Sequence, residues 1–169
     1  MKTLRLREGI LGGVVAGVVM AMVAMTYTLI AQGDLLAPVK QMGALLFAAD
    51  SGSPLSLIAG LMLHMMSAAV FGAVFVLLAR AAIDNDWVLT AAGFWPLAVA
   101  AMSYIVIEWA VAAFVILPAI DRPLLTTFAS IGGFVAHAMY GLVLAWWLVW
   151  RAAPVAVRVR TGNHQHNVA

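Results

Sequence analysis

Residues 9–31, 55–79, 87–117 and 124–150 form four apolar runs without a single lysine or arginine, and only one of them holds an acid, Glu108. Each exceeds the roughly 20 residues a helix needs to cross about 30 Å of hydrocarbon. Backbone polar groups in lipid must be satisfied internally, so such runs are helices rather than open strands. The expected fold is all-α and integral to the membrane: a four-transmembrane-helix, up-down-up-down bundle over residues 1–151, with a cytoplasmic tail at 152–169. Only 9% of the 169 residues are charged, against roughly 25% in a soluble domain. That deficit excludes a solvated enzyme domain and a disordered or nucleic-acid-binding module. The net charge of +2 comes from basic residues at the ends of the runs, where membrane topology places them. There is no cysteine, which removes disulfides, thiolate metal sites and c-type haem attachment.

Gln32-Gly33-Asp34, the Asp50–Pro54 stretch, Asp84-Asn85-Asp86, and Pro118 with Asp121-Arg122-Pro123 separate the runs. Pro96 predicts a tilt or kink in the long third run. Residues 38–49 read as a short amphipathic piece, either an interfacial helix or a buried loop segment. Lys2, Arg5, Arg7, Arg80, Arg151, Arg158 and Arg160 flank one side and only Lys40 and Arg122 the other. Both termini are therefore expected in the cytoplasm of a cell (inner) membrane protein. A cleaved signal peptide is the competing reading of the first run, which is too long for an h-region. His164 and His166 suit a solvated tail better than a metal site.

The two halves are similar. Ala24-Met25-Thr26-Tyr27 recurs as Ala101-Met102-Ser103-Tyr104, and Gly60-x-x-x-His64-x-Met66 recurs as Gly133-x-x-x-His137-x-Met139. A duplicated helical hairpin, pairing run one with three and two with four, accounts for both matches. Gly9-x-x-x-Gly13-x-x-x-Gly17 lets helix backbones approach closely, within the chain or as a dimer face.

His64, Glu108 and His137 are the ionisable residues at depth. Such a group costs roughly 2.5 kcal/mol or more at mid-span, so it meets a partner, a cavity or a cofactor. His64 is ten positions from Pro54 and Glu108 ten from Pro118, each roughly 15 Å deep at about 1.5 Å per residue. His137 falls in the same layer. Gly60, Ser67, Ala68 and Gly72 share the face of His64, as Ser130, Gly133, Gly141 and Ala145 share that of His137. Small residues leave room for a neighbouring helix or for a flat ligand. In the second case Gly60, Gly72, Gly133 and Gly141 flank the group, and two inward imidazoles hold a b-type haem across the bundle diagonal. A single Zn²⁺ or Fe²⁺ on His64, His137 and Glu108 is the alternative. Glu108 stands one turn after Tyr104, so a proton relay or a structural hydrogen bond to Tyr104 or Tyr27 is open to it. Arg122 and Lys40 are candidates to neutralise haem propionates, or ordinary loop charges.

This placing of histidines on the second and fourth helices resembles cytochrome b of quinol-oxidising complexes, in architecture only. There each ligand helix carries two histidines about two heptads apart. The matching positions here are Asp50 or Leu78 and Pro123 or Arg151, so the resemblance implies half of that arrangement, with one haem. The ten methionines read as apolar filler rather than copper ligands, and Trp146, Trp147 and Trp150 as an interfacial belt. The functional expectation is a redox subunit, transferring electrons within or anchoring a larger membrane complex or homo-oligomer. A small transporter or channel component with a His/Glu layer, and a cofactor-free scaffold, are the alternatives.

Overall fold

The computed structural model describes residues 5–47, 52–82, 94–120 and 128–162. These residues are all-helical apart from the turns that join them. They form α1 (Leu6–Gln32), α2 (Ala37–Ala44), α3 (Pro54–Ala82), α4 (Phe94–Val111), a π-helical segment (Ala112–Ile116), α5 (Leu117–Ile120) and α6 (Ile131–Gly162). Four stretches are long and apolar enough to cross a membrane: Leu6–Gln32, Pro54–Ala81, Phe94–Ala119 and Ile131–Arg151. Large apolar side chains such as Ile30, Leu55, Trp95, Val99, Phe114 and Ile131 point outward along these helices. Such a surface is compatible with lipid and not with water, which makes the chain a multi-pass membrane protein.

Glycine sets the packing. On α3, Gly72 lies directly against Gly9 and Gly13 of α1. Further along, Gly13 and Gly17 of α1 lie against Ala68 of α3. Contacts that run forward on one helix run backward on the other, so α1 and α3 are antiparallel. The same reversal holds for α1 and α6, which meet at Gly12 with Trp147 and again at Tyr27 with Gly132. Gly141 of α6 seats Met102 of α4, while Trp109 lies against Phe134 nearer the other end. Every interior side of α1 is therefore used within the chain, and Gly9, Gly13 and Gly17 serve an internal crossing rather than a dimer face. By contrast α3 and α4 make scarcely any direct contact. The rings of Phe75 and Tyr104, with centroids 5.6 Å apart, bridge them.

Several local features refine these expectations. Pro96 is the third residue of the described part of α4. The irregularity comes later, at the π segment before Pro118, where a proline ring cannot accept the ordinary turn geometry. The segment expected at 38–49 is the shorter α2. It packs on α3, with Val39 and Gly43 against Gly60 and Ser56. The chain reaches it through Gly33, whose φ of 72° closes α1 by donating its N–H to Leu29 O. Lys40 is not free for a propionate: its Nζ is 2.7 Å from Asp34 Oδ2. The fourth candidate span ends at Arg151, and its helix continues as far as Gly162. The beginnings of the third and fourth runs, with Arg122, and the His164/His166 pair lie outside the described residues.

Candidate functional site

α1, α3, α4 and α6 enclose a chamber of about 370 Å³, closed at one end by α2. Its walls are apolar in the main, from residues such as Met20 and Met25 of α1, Met42 of α2 and Ile105 of α4. His64, Glu108 and His137 all line it, as do Tyr27 and Gly133. The layer inferred from helix depth is thus gathered around one space. Gly60, Gly72, Gly141 and Tyr104 do not line it. Gly60 is taken by α2, Gly72 by α1 and Gly141 by α4; Tyr104 packs against Phe75, the rings tilted by 44°. Gly60, Gly72 and Gly141 thus bring helices together, while Ser67, Ala68 and Gly133 of the same two faces line the chamber.

The two histidines are held differently. His64 Nε2 is 3.0 Å from Gly17 O. A carbonyl only accepts, so Nε2 is the protonated nitrogen and donates across the α1–α3 crossing. His137 is buried, at 4% exposure, and its Nδ1 is 2.6 Å from Gly133 O one turn back on its own helix. By the same logic Nδ1 carries the proton, leaving a lone pair on Nε2. Among the described residues that Nε2 has no hydrogen-bond partner. Phe128 presents an edge to the ring at 4.8 Å between centroids, and Trp109 stands behind it at 6.5 Å. Trp109 is fixed in turn by donating Nε1–H to Phe128 O at 2.8 Å.

Glu108 is the second polar group with spare capacity. Its Oε2 is buried without a hydrogen-bond partner among the described residues. Neither Tyr104 nor Tyr27 bonds to it; Tyr27 instead lies flat on Gly132. Opposite, Tyr140 donates its hydroxyl to Ala68 O at 2.6 Å, tying α6 to α3 across the diagonal and forming the chamber's inner wall. Among the described residues no three His, Asp or Glu side chains converge closely enough to hold a metal ion. Each imidazole therefore keeps one lone pair, on Nδ1 of His64 and on Nε2 of His137.

Tyr140, Trp109 and the π segment were not singled out by sequence reading. Tyr140 lies one turn from His137 on the same face, a spacing that would have flagged it. The π segment has no comparable sequence signal beyond Pro118. No known protein family, curated protein or solved structure matches this chain. The likeness to cytochrome b is therefore confined to which helices carry histidine.

Proposed function

We propose that this chain is a membrane-embedded binding subunit whose chamber takes one small molecule carrying a hydrogen-bond donor, such as a hydroxyl. The reading rests on an up-down-up-down bundle from a duplicated hairpin, in a cell (inner) membrane with both termini cytoplasmic. The supporting observation is the His137 imidazole, buried, fixed through Nδ1 to Gly133 O and left with an unused lone pair on Nε2 beside the chamber. A donor on the ligand completes that lone pair, and Glu108 Oε2 supplies a second polar contact. An apolar pocket with a few convergent polar groups is the usual form of a small-molecule site, and about 370 Å³ is within the customary size range. In this reading the subunit acts with protein partners in a membrane complex or as a homo-oligomer.

A second reading is favoured by the same imidazole. A histidine whose Nδ1–H is anchored on a backbone carbonyl is oriented as an iron ligand, so His137 would hold a b-type haem for electron transfer. His64 would join it through Nδ1, or through Nε2 on releasing Gly17 O. Absorbance spectra of gently purified protein, oxidised and dithionite-reduced, separate the two readings. The haem reading predicts a Soret band that His137→Ala abolishes. The first reading predicts no Soret band, with saturable binding of a benzoquinol probe that falls about tenfold or more in His137→Phe, the loss of one hydrogen bond. Protein that binds neither haem nor quinol refutes both.

A further inference from the structure

The way into the chamber narrows the class of ligand. α1 binds α3 on one side and α6 on the other, and α6 binds α4, which leaves the α3–α4 side of the bundle almost without direct contact. The Phe75–Tyr104 ring pair closes that side in one half. In the other half three chamber-lining side chains are also exposed: Leu61 of α3 at 48%, Ile116 of the π segment at 48% and Leu45 after α2 at 38%. Side chains that line a cavity and face outward at once mark its rim. All three are aliphatic, so the opening faces hydrocarbon. A wholly polar solute would have to leave water for lipid before it could enter, at several kcal/mol per unsatisfied group. A ligand with a hydrocarbon tail meets no such barrier.

Resting on the binding reading above, we infer that the ligand is an amphiphile: its hydroxyl-bearing head sits at His137 and Glu108, and its hydrocarbon tail leaves between α3 and α4 past Leu61 and Ile116. Continuity of the chamber with this rim is the argument for a tail rather than a neighbouring protein helix in the seam. The π turn contributes directly. Its extra residue per turn widens the helix where Ile116 reaches the rim.

The test uses the full chain in lipid nanodiscs and two probes with one head, a benzoquinol bearing a ten-carbon tail and the same quinol bearing a methyl group. Leu61→Trp and Ile116→Trp each fill the seam from a lipid-facing position, and folding of each is checked by elution volume. Expected is a loss of about tenfold or more in affinity for the tailed probe in both variants, with the methyl probe within about twofold of wild type. Comparing variants on the same probe cancels its partition into the bilayer. If both probes bind wild type and neither tryptophan discriminates between them, the tail lies elsewhere, or a bilayer acyl chain holds the seam. The inference then falls while the chamber reading stands. If neither probe binds wild type, both fall together.

Discussion

Gly72→Ala offers a direct measure of how tightly α1 and α3 cross. A Cβ at this position would run into the Gly9 carbonyl oxygen and stand 2.8 Å from Gly13 Cα and 2.9 Å from Gly13 N. Those are backbone atoms of the neighbouring helix, so no side chain can swing aside. Restoring ordinary contact at roughly 3.5–4.0 Å means parting the helices by roughly 1 Å. Overpacking of this kind costs about 1–3 kcal/mol. The same movement carried to Gly17 stretches the His64–Gly17 hydrogen bond from 3.0 Å beyond bonding range. That loss adds about 0.6 kcal/mol, up to roughly 1.7, for an interhelical bond in a membrane. Alanine's better helix propensity returns up to about 1 kcal/mol. The net expectation is about 1–3 kcal/mol of destabilisation. Equilibrium unfolding in mixed micelles, titrated with a denaturing detergent, gives the number. Gly52, with nothing within 4 Å of its Cβ position, is the control: Gly52→Ala should lie within about 0.5 kcal/mol of wild type. A Gly72→Ala protein as stable as the Gly52→Ala control would refute the close crossing, and would reinstate Gly72 as a residue flanking an open space.

Three further outcomes are expected. Tyr140→Phe keeps the ring and loses only the bond to Ala68 O, so its cost in the same assay is about 0.6 kcal/mol and below roughly 1.7; a larger loss would mean that the ring, not the hydroxyl, holds the diagonal. Gly132→Ala pushes a methyl into the Tyr27 ring, which Tyr27→Ala removes. The double variant should therefore be less destabilised than the sum of the singles by at least about 0.5 kcal/mol, and strict additivity would contradict the contact. At the α1–α2 turn, the hydrogen bond from Lys40 holds the Asp34 carboxyl below the usual carboxylate range, despite partial desolvation, with the Leu36 amide helping. A depressed native pKa stabilises fully above the unfolded value and is lost as pH falls through the native one. The Leu36 amide resonance should thus shift only below the ordinary aspartate range and not at all in Asp34→Asn; a midpoint at or above that range would be contrary to the ion pair.

The membrane spans and the polar layer were legible because both follow from local arithmetic. A run without charge must cross lipid, and helix rise puts His64, Glu108 and His137 at comparable depth. What was not legible depends on which neighbour fills each face. Gly60, Gly72 and Gly141 have the same small-residue signature whether a helix or a ligand lies against them, and here α2, α1 and α4 do. Lys40 likewise reads as a spare loop cation until the turn at Gly33 brings Asp34 back to it. The π segment escaped because π geometry reflects a balance between Pro118 and the packing of α4, not a residue pattern.

The two histidines carry this argument to the site. His64 and His137 stand in matching heptapeptides, each with a glycine one turn earlier, and sequence alone assigns them one role. The folded chain divides them. Gly60 is occupied by α2, and His64 reaches outward to the Gly17 carbonyl on α1. Gly133 lines the chamber, and its carbonyl accepts the His137 Nδ1 proton. Each imidazole donates one N–H and keeps a lone pair on its other nitrogen, Nδ1 in His64 and Nε2 in His137; the His64 bond spans a helix crossing, whereas the His137 bond stays within α6. α3 is held from α1, from α2 and through the Tyr140–Ala68 bond to α6, and the His64 bond contributes to the α1–α3 part of that hold. If a His64→Leu variant lost stability yet kept probe affinity within about twofold, while His137→Phe lost affinity yet kept stability within about 1 kcal/mol, the division would stand. The reverse pattern would assign the binding role to His64 instead.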